Sequence, residues 1–94
     1  MEEDLSQKVR QILSREFPGA DVRLQRDSPV SRLDGELVWD GFEGVEHVDR
    51  QHRLREVLAR SLSPEERNGL SIILTFTSTE VAVMEEEAGP LYQG

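Results

Sequence analysis

The stretch Leu70 to Thr77, LSIILTFT, most narrows what this chain can fold into. It is nearly continuous in apolar and β-branched residues. A run of that kind reads as a β-strand buried on both faces, in the middle of a sheet. The remaining elements are read around it.

Upstream, Leu5, Val9, Ile12, Leu13 and Phe17 recur at spacings of three and four, which predicts a helix over Asp4 to Phe17. Glu2, Glu3 and Asp4 stand at its positive end and Arg15 in its last turn, and Pro18-Gly19 stops it. In ADVRLQR, Ala20 to Arg26, Val22 and Leu24 alternate with polar residues, the pattern of a half-buried strand. Ser28-Pro29 and Asp34-Gly35 mark turns, so the next strand is expected to be short, ELVW, Glu36 to Trp39, paired with the first. A helix starting between Val45 and Asp49 and ending at Leu62 presents Leu54, Val57, Leu58 and Leu62 as its apolar face. Ser63, Pro64 and Glu66 form a capping box that opens a separate helical turn ending near Asn68-Gly69. After LSIILTFT, the segment STEVAVMEEE reads as a last helix capped by Ser78 or Thr79, with a frayed acidic tail from about residue 86.

The order is α-β-β-α-(short α)-β-α. Three strands in a mixed sheet, with helices on one face, make an α+β two-layer sandwich, and the helix between strands two and three supplies the crossover that a parallel pair needs. This order is compatible with a KH-like fold of the second topological type. At 94 residues it makes one small domain spanning 1–94, with one thin core.

Charge and cysteine content narrow the chemistry. A net charge of −8 opposes non-specific binding to nucleic acid and docking on anionic membranes. The absence of cysteine excludes a disulfide framework, a zinc ribbon, a thiol nucleophile and an iron–sulfur cluster held by this chain's own thiolates. Met1-Glu2-Glu3-Asp4 has no basic region and no apolar run behind it, so no signal peptide or membrane anchor is expected, and the cytoplasm is the expected compartment. Asp40, Glu43 and Glu46 lie close together without a matched acid, base or cleft, and Thr75, Thr77, Ser78 and Thr79 have no paired general base. The chain reads as a non-enzyme.

The chain's histidines, His47 and His52, fall in GFEGVEHVDRQHRLREVL, Gly41 to Leu58. Imidazole is the side chain readiest to bind a metal near neutral pH. Five residues apart, the pair misses the i, i+4 spacing of a helical metal site. His52 lies about 160° around the helix from Leu54 and points away from the apolar face, with Gln51 nearer its edge. His47 falls on the inner side if the helix begins early, as a half-buried residue or partial cap. Arg50 and Arg53 are suited to a partner's carboxylates or to ordinary surface charge. GFEG is literally G-x-x-G, the loop with which KH domains grip a nucleic-acid backbone between two helices. Its middle holds Phe42 and Glu43 with no cation, although Arg50, Arg53, Arg55 and Arg60 offer a basic stripe nearby. The other reading is a tight turn in which glycine takes positive φ while Phe42 plugs the core. Trp39 reads as a core or sheet-face anchor.

Taken together, these segments resemble the BolA-like proteins. Phe42 and Gly44 match that family's Phe-x-Gly turn. Val48 and Arg50 match its Val-x-Arg-His-Arg helix start, Leu70-Ser71-Ile72 its Leu-Ser-Ile strand, and Thr77 and Glu80 the end of that strand. The likeness runs from about Gly35 to Val81. In ungapped alignment the hallmark histidine falls on Gln51 and the following arginine on His52, while a histidine often found before the strand falls on Asn68. The loop between the first two strands, which often carries a cysteine or histidine in the family, has neither here. Strand three is one residue longer than the pattern, or bulged. The resemblance implies a non-enzymatic adaptor that pairs with a monothiol glutaredoxin and glutathione and shares a [2Fe–2S] cluster, the sulfurs coming from the partner. It implies partner contacts at Phe42, Gly44, Arg50, Gln51 and Arg53, and a metal ligand at His52 if the helix start slips by one residue. Some family members act in stress responses or bind DNA. The alternative is a KH-like regulatory interaction module that has lost the ligand and binds another protein or DNA; on its own the chain is expected to be a monomer or homodimer.

Overall fold

The computed structural model describes residues 4–26, 28 and 30–93, with side chains to Glu87. Helix α1, Leu5–Glu16, turns Val9, Ile12 and Leu13 inward, and Phe17 follows them into the core at its C-cap. Strand β1, Asp21–Gln25, buries Val22 and half-buries Leu24 on the side facing that helix. The following loop includes Asp27 and Pro29, which lie outside the described residues.

Strand β2, Leu33–Val38, begins three residues before the stretch the sequence suggests, and it ends before Trp39. Asp34-Gly35 is therefore inside a strand and not a turn. The reason is a close approach: a Cβ on Gly35 would lie 2.1 Å from the carbonyl oxygen of Arg23 on the neighbouring strand. Glycine here admits a tight antiparallel pairing of Leu24 with Gly35, within a register that runs from Asp21–Val38 to Gln25–Asp34.

After a 3₁₀ turn at Asp40–Phe42 comes α2, His47–Ser61, which buries Leu54, Val57 and Leu58 against the sheet. Helix α3, Pro64–Asn68, carries the capping box read from the sequence. The Ser63 hydroxyl accepts from the Glu66 amide at 3.1 Å, and the Glu66 carboxylate accepts from the Ser63 amide at 2.8 Å. Lys8 of α1 reaches Glu66 at 2.7 Å, fastening α3 to the first helix.

Strand β3, Leu70–Phe76, pairs in parallel with β2, giving the sheet order β1-β2-β3. This corrects the reading of LSIILTFT as a central strand. β1 already occupies the other side of β2, so the crossover through α2 and α3 delivers β3 to the edge. Ile73 and Thr75 face the helices and are buried, whereas Ile72 and Leu74 point to the open face, 56% and 41% exposed. The extra residue suggested by the sequence is a bulge. Leu33 pairs with Leu70 and Gly35 with Ile73, so β3 advances three residues while β2 advances two. Ser71 and Ile72 are consequently both exposed, breaking the alternation.

Helix α4, Ser78–Gln93, runs through the segment read as a tail. Its cap is Thr77 rather than Ser78 or Thr79. The Thr77 hydroxyl accepts from the Glu80 amide at 3.2 Å and the Glu80 carboxylate accepts from the Thr77 amide at 2.8 Å, a second capping box. The layers and the element order agree with the KH-like α+β sandwich expected from the sequence.

Candidate functional site

The segment that holds both histidines folds as a turn followed by the first half of α2, and its neighbours are β3 and the start of α4. The turn is built on aromatic packing. Phe42 is fully buried, with its ring centroid 5.6 Å from Phe17 and 5.1 Å from Trp39. Gly44 takes φ +78°, a conformation that costs any side chain with a Cβ. Of the two readings of GFEG, the structure matches the tight turn with Phe42 as a plug. The loop joins β2 to α2, so it does not lie between two helices as a KH-type phosphate clamp does.

Arg50 takes the inward position in the first turn of α2, and its side chain is only 5% exposed. Its Nε donates to the Val45 carbonyl at 2.8 Å, and its Nη1 and Nη2 donate to the two oxygens of Glu80 at 2.7 and 3.2 Å. The guanidinium also stacks 5.6 Å from the centroid of Phe42. Every part of this cation is used within the chain. The Arg50 guanidinium, aided by the Thr77 amide, holds the Glu80 carboxyl down to about 2. On the other side of the same helix start, Asp40 accepts from the Ser78 amide at 2.9 Å and from its hydroxyl at 2.6 Å, and these bonds lower its pKa. The first turn of α4 is thus fastened both to the turn and to α2.

Gln51, at the hallmark position, faces the edge strand. Its Nε2 donates to the Ile73 carbonyl at 3.0 Å and to Thr75 Oγ1 at 3.3 Å. His52, about 100° further around the helix, points to solvent, 76% exposed, with Nε2 3.2 Å from Glu56 one turn on. No slip at the helix start brings it inward. His47 is the first residue of α2, but its side chain is 69% exposed and 3.9 Å from Glu80. This corrects its reading as half-buried: Arg50 fills the space beneath the first turn. Arg53 lies over Phe17 and Trp39, 5.1 and 5.3 Å from their centroids, and Trp39 Nε1 donates to the Pro18 carbonyl at 2.9 Å. The basic stripe dissolves accordingly. Arg50 is internal, Arg53 is stacked and Arg60 lies 3.7 Å from Glu16, which leaves Arg55 exposed and without an ion pair among the described residues.

Of the residues matched to the family pattern, the structure therefore gathers Phe42, Gly44, Arg50 and Glu80 into one interlocked turn, sets Gln51 on the strand edge, and leaves His52 and Arg53 at the surface. Sequence reading missed the Thr77–Glu80 capping box, although Thr77-Ser78-Thr79-Glu80 repeats the pattern recognised at Ser63-Pro64-Glu65-Glu66, and with it missed the carboxylate that Arg50 pairs with.

A cluster ligand in this setting is a thiolate or an imidazole. The side chain at the hallmark position is an amide engaged with Ile73 and Thr75, and among the described residues no group of three or more His, Cys, Asp or Glu side chains is arranged to hold a metal ion. The residues there do not fit an iron–sulfur ligand. No helix among the described residues is long and apolar enough to cross a membrane.

No family model matches the chain, and no curated protein matches it. Solved structures do. BolA1 from Arabidopsis thaliana is 18% identical, with a TM-score of 0.58 over 81% of this chain and 92% of that one. The BolA domain of SufE1 from Arabidopsis thaliana is 18% identical, with a TM-score of 0.63 over 85% of this chain and 99% of that domain. At this identity the likeness concerns the backbone, and the chain has a BolA-like fold.

Proposed function

We propose that this chain is a non-enzymatic interaction module on the BolA-like fold, an adaptor or regulator whose ligand position has been given over to structure. The observation that carries this reading is Gln51, which spends its amide on the Ile73 carbonyl and Thr75 where a histidine would present a ring nitrogen. The resemblance of the Gly41–Leu58 segment to the BolA-like proteins supports a monothiol glutaredoxin with glutathione as the partner class. Mixing the chain with such a glutaredoxin under cluster-reconstituting conditions tests both parts. The expected result is a heterodimer in size-exclusion chromatography, with the glutaredoxin's visible spectrum unchanged by the addition. Absence of a heterodimer removes the glutaredoxin as partner.

A second reading keeps the cluster, and the observation in its favour is the solvent-exposed imidazole of His52, whose neighbour Glu56 is itself exposed, on the same helix turn as Gln51. Under that reading the visible spectrum shifts on mixing and the shift disappears in His52→Ala. An unchanged spectrum in both proteins sinks it.

A further inference from the structure

The surface of α2 that borders β3 carries two adjoining grooves. One, about 410 Å³, is lined by His47, Val48, Gln51, His52 and Arg55. The other, about 270 Å³, is lined on the helix by Gln51, Leu54, Arg55 and Leu58, and on the strand by Leu70 to Ile73. Gln51 and Arg55 belong to both, so the two form one path along the helix and the sheet edge. No carboxylate lines either groove, in a chain of net charge −8. Two other grooves among the described residues do include carboxylates, Asp34 and Glu36 in one and Asp21 and Asp40 in the other. Acids stand at the rim, Glu56 beside His52 and Glu80 beside His47.

Three chemistries meet on this path. Arg55 is a cation with no ion pair among the described residues. Val48 and Ile72, 74% and 56% exposed, supply apolar contact on either side. β3 is an edge strand, so the backbone N–H and C=O groups on its side away from β2 have no neighbouring strand to pair with, and the bulge at Ser71 and Ile72 lies on this same strand. Gln51 already donates to the Ile73 carbonyl as the backbone of an added strand would. An anion to pair with Arg55, small apolar groups and backbone hydrogen bonds are together the features of an extended acidic peptide.

Resting on the reading of this chain as an interaction module, we propose that the path between α2 and the bulged edge of β3 docks an extended acidic segment of a partner protein, with one of its carboxylates on Arg55. The probe is a fluorescein-labelled peptide of alternating Glu and Val residues, followed by anisotropy with the full chain. The peptide is expected to bind, and Arg55→Glu to weaken it about tenfold, the effect of turning one charge-assisted contact into repulsion. Arg32→Glu makes the same change in net charge at an exposed position outside the grooves, and is expected to leave binding intact. Amide resonances of Gln51, Arg55 and Ser71 to Ile73 are expected to shift on titration.

Equal losses in the two variants, equal binding of a Lys-Val peptide, or no binding of the Glu-Val peptide overturns the proposal. So does preferential binding of an oligothymidylate, which would make the path a nucleic-acid groove. The glutaredoxin experiment separates the two levels. A heterodimer that forms at full strength with Arg55→Glu, while no peptide binds, removes the groove and leaves the interaction module standing.

Discussion

Arg50 and Gln51 are neighbours on one helical turn, yet they serve two different regions. Arg50 turns inward beneath α2 and is saturated by the Val45 carbonyl, both oxygens of Glu80 and the face of Phe42. Gln51, one position and about 100° further around the helix, sits half-buried against the open edge of β3. The first region is a closed lock that joins the turn, α2 and α4. The second is a rim, with exposed Val48, Ile72 and Arg55 around it. The difference teaches that a residue matching a family pattern need not be a contact residue. Arg50 is spent within the fold, and the exposed rim is made by its neighbours on the helix, Val48 and Arg55 among them.

The lock is where substitution has the largest effect. Phe42→Ala deletes the centre of the aromatic cluster and is expected to cost about 3–5 kcal/mol, the range for a fully buried phenylalanine. In denaturant melts this should leave little folded protein, while Leu74→Ala on the open face of the sheet changes stability by under about 1 kcal/mol. If both variants melt alike, the contrast between closed core and open face is wrong.

Next in size is Arg50→Ala. It strands the Val45 carbonyl and leaves Glu80 without its cation. Breaking a buried pair by removing one partner costs about 3–5 kcal/mol, and the half-exposed position of Glu80 reduces this to about 2–4 kcal/mol. A surface arginine costs about 0.5 kcal/mol or less. A melt showing only that small change would return Arg50 to the partner-facing role suggested by the sequence.

Much of the fold was legible because its signals are local. The face of α1 at Leu5, Val9, Ile12, Leu13 and Phe17 and the Ser63–Glu66 box follow from spacing alone, and the structure carries both; the added residue in β3 was read against the family pattern, and it is a bulge. What failed depended on neighbours distant in sequence. The place of β3 at the sheet edge depends on β1 having already paired with β2, a fact that apolar content does not record. Asp34-Gly35 looked like a turn because Asp-Gly usually is one, yet the glycine serves the approach of the Arg23 carbonyl from the adjacent strand. At the candidate site the helical angle was enough to separate outward His52 from inward-leaning Gln51. The burial of Arg50 was not readable, because its partner Glu80 lies thirty residues away on another helix.

Glu80→Gln sharpens the same comparison through pH. The folded carboxyl titrates at about 2 against an ordinary 4.5, so its contribution is fully present above about pH 4.5 and is lost as the pH falls toward 2. The variant is expected to lose about 1 kcal/mol at neutral pH, discounted for the solvent exposure of Glu80. Its stability should also fall less than that of the native chain between pH 4.5 and 2, because the variant has no carboxyl there to protonate. Parallel acid melts of the two proteins would show that the Arg50–Glu80 lock does not set acid stability.

The smallest effect on stability, and the most direct test of the rim, comes from Gln51→His. An imidazole at this position keeps a ring N–H that can donate to the Ile73 carbonyl, so the expected change is under about 1 kcal/mol, the net contribution of one neutral hydrogen bond. What changes is the chemistry on offer, because the other ring nitrogen becomes a possible ligand. With a glutaredoxin and its cluster, the native chain is expected to leave the visible spectrum alone and the variant to shift it. A shift in both proteins would assign the ligand to a residue other than 51, with His52 first in line. A shift in neither would mean that the edge of β3 holds residue 51 too firmly for any side chain there to reach a partner, and the rim would then be as closed as the lock beside it.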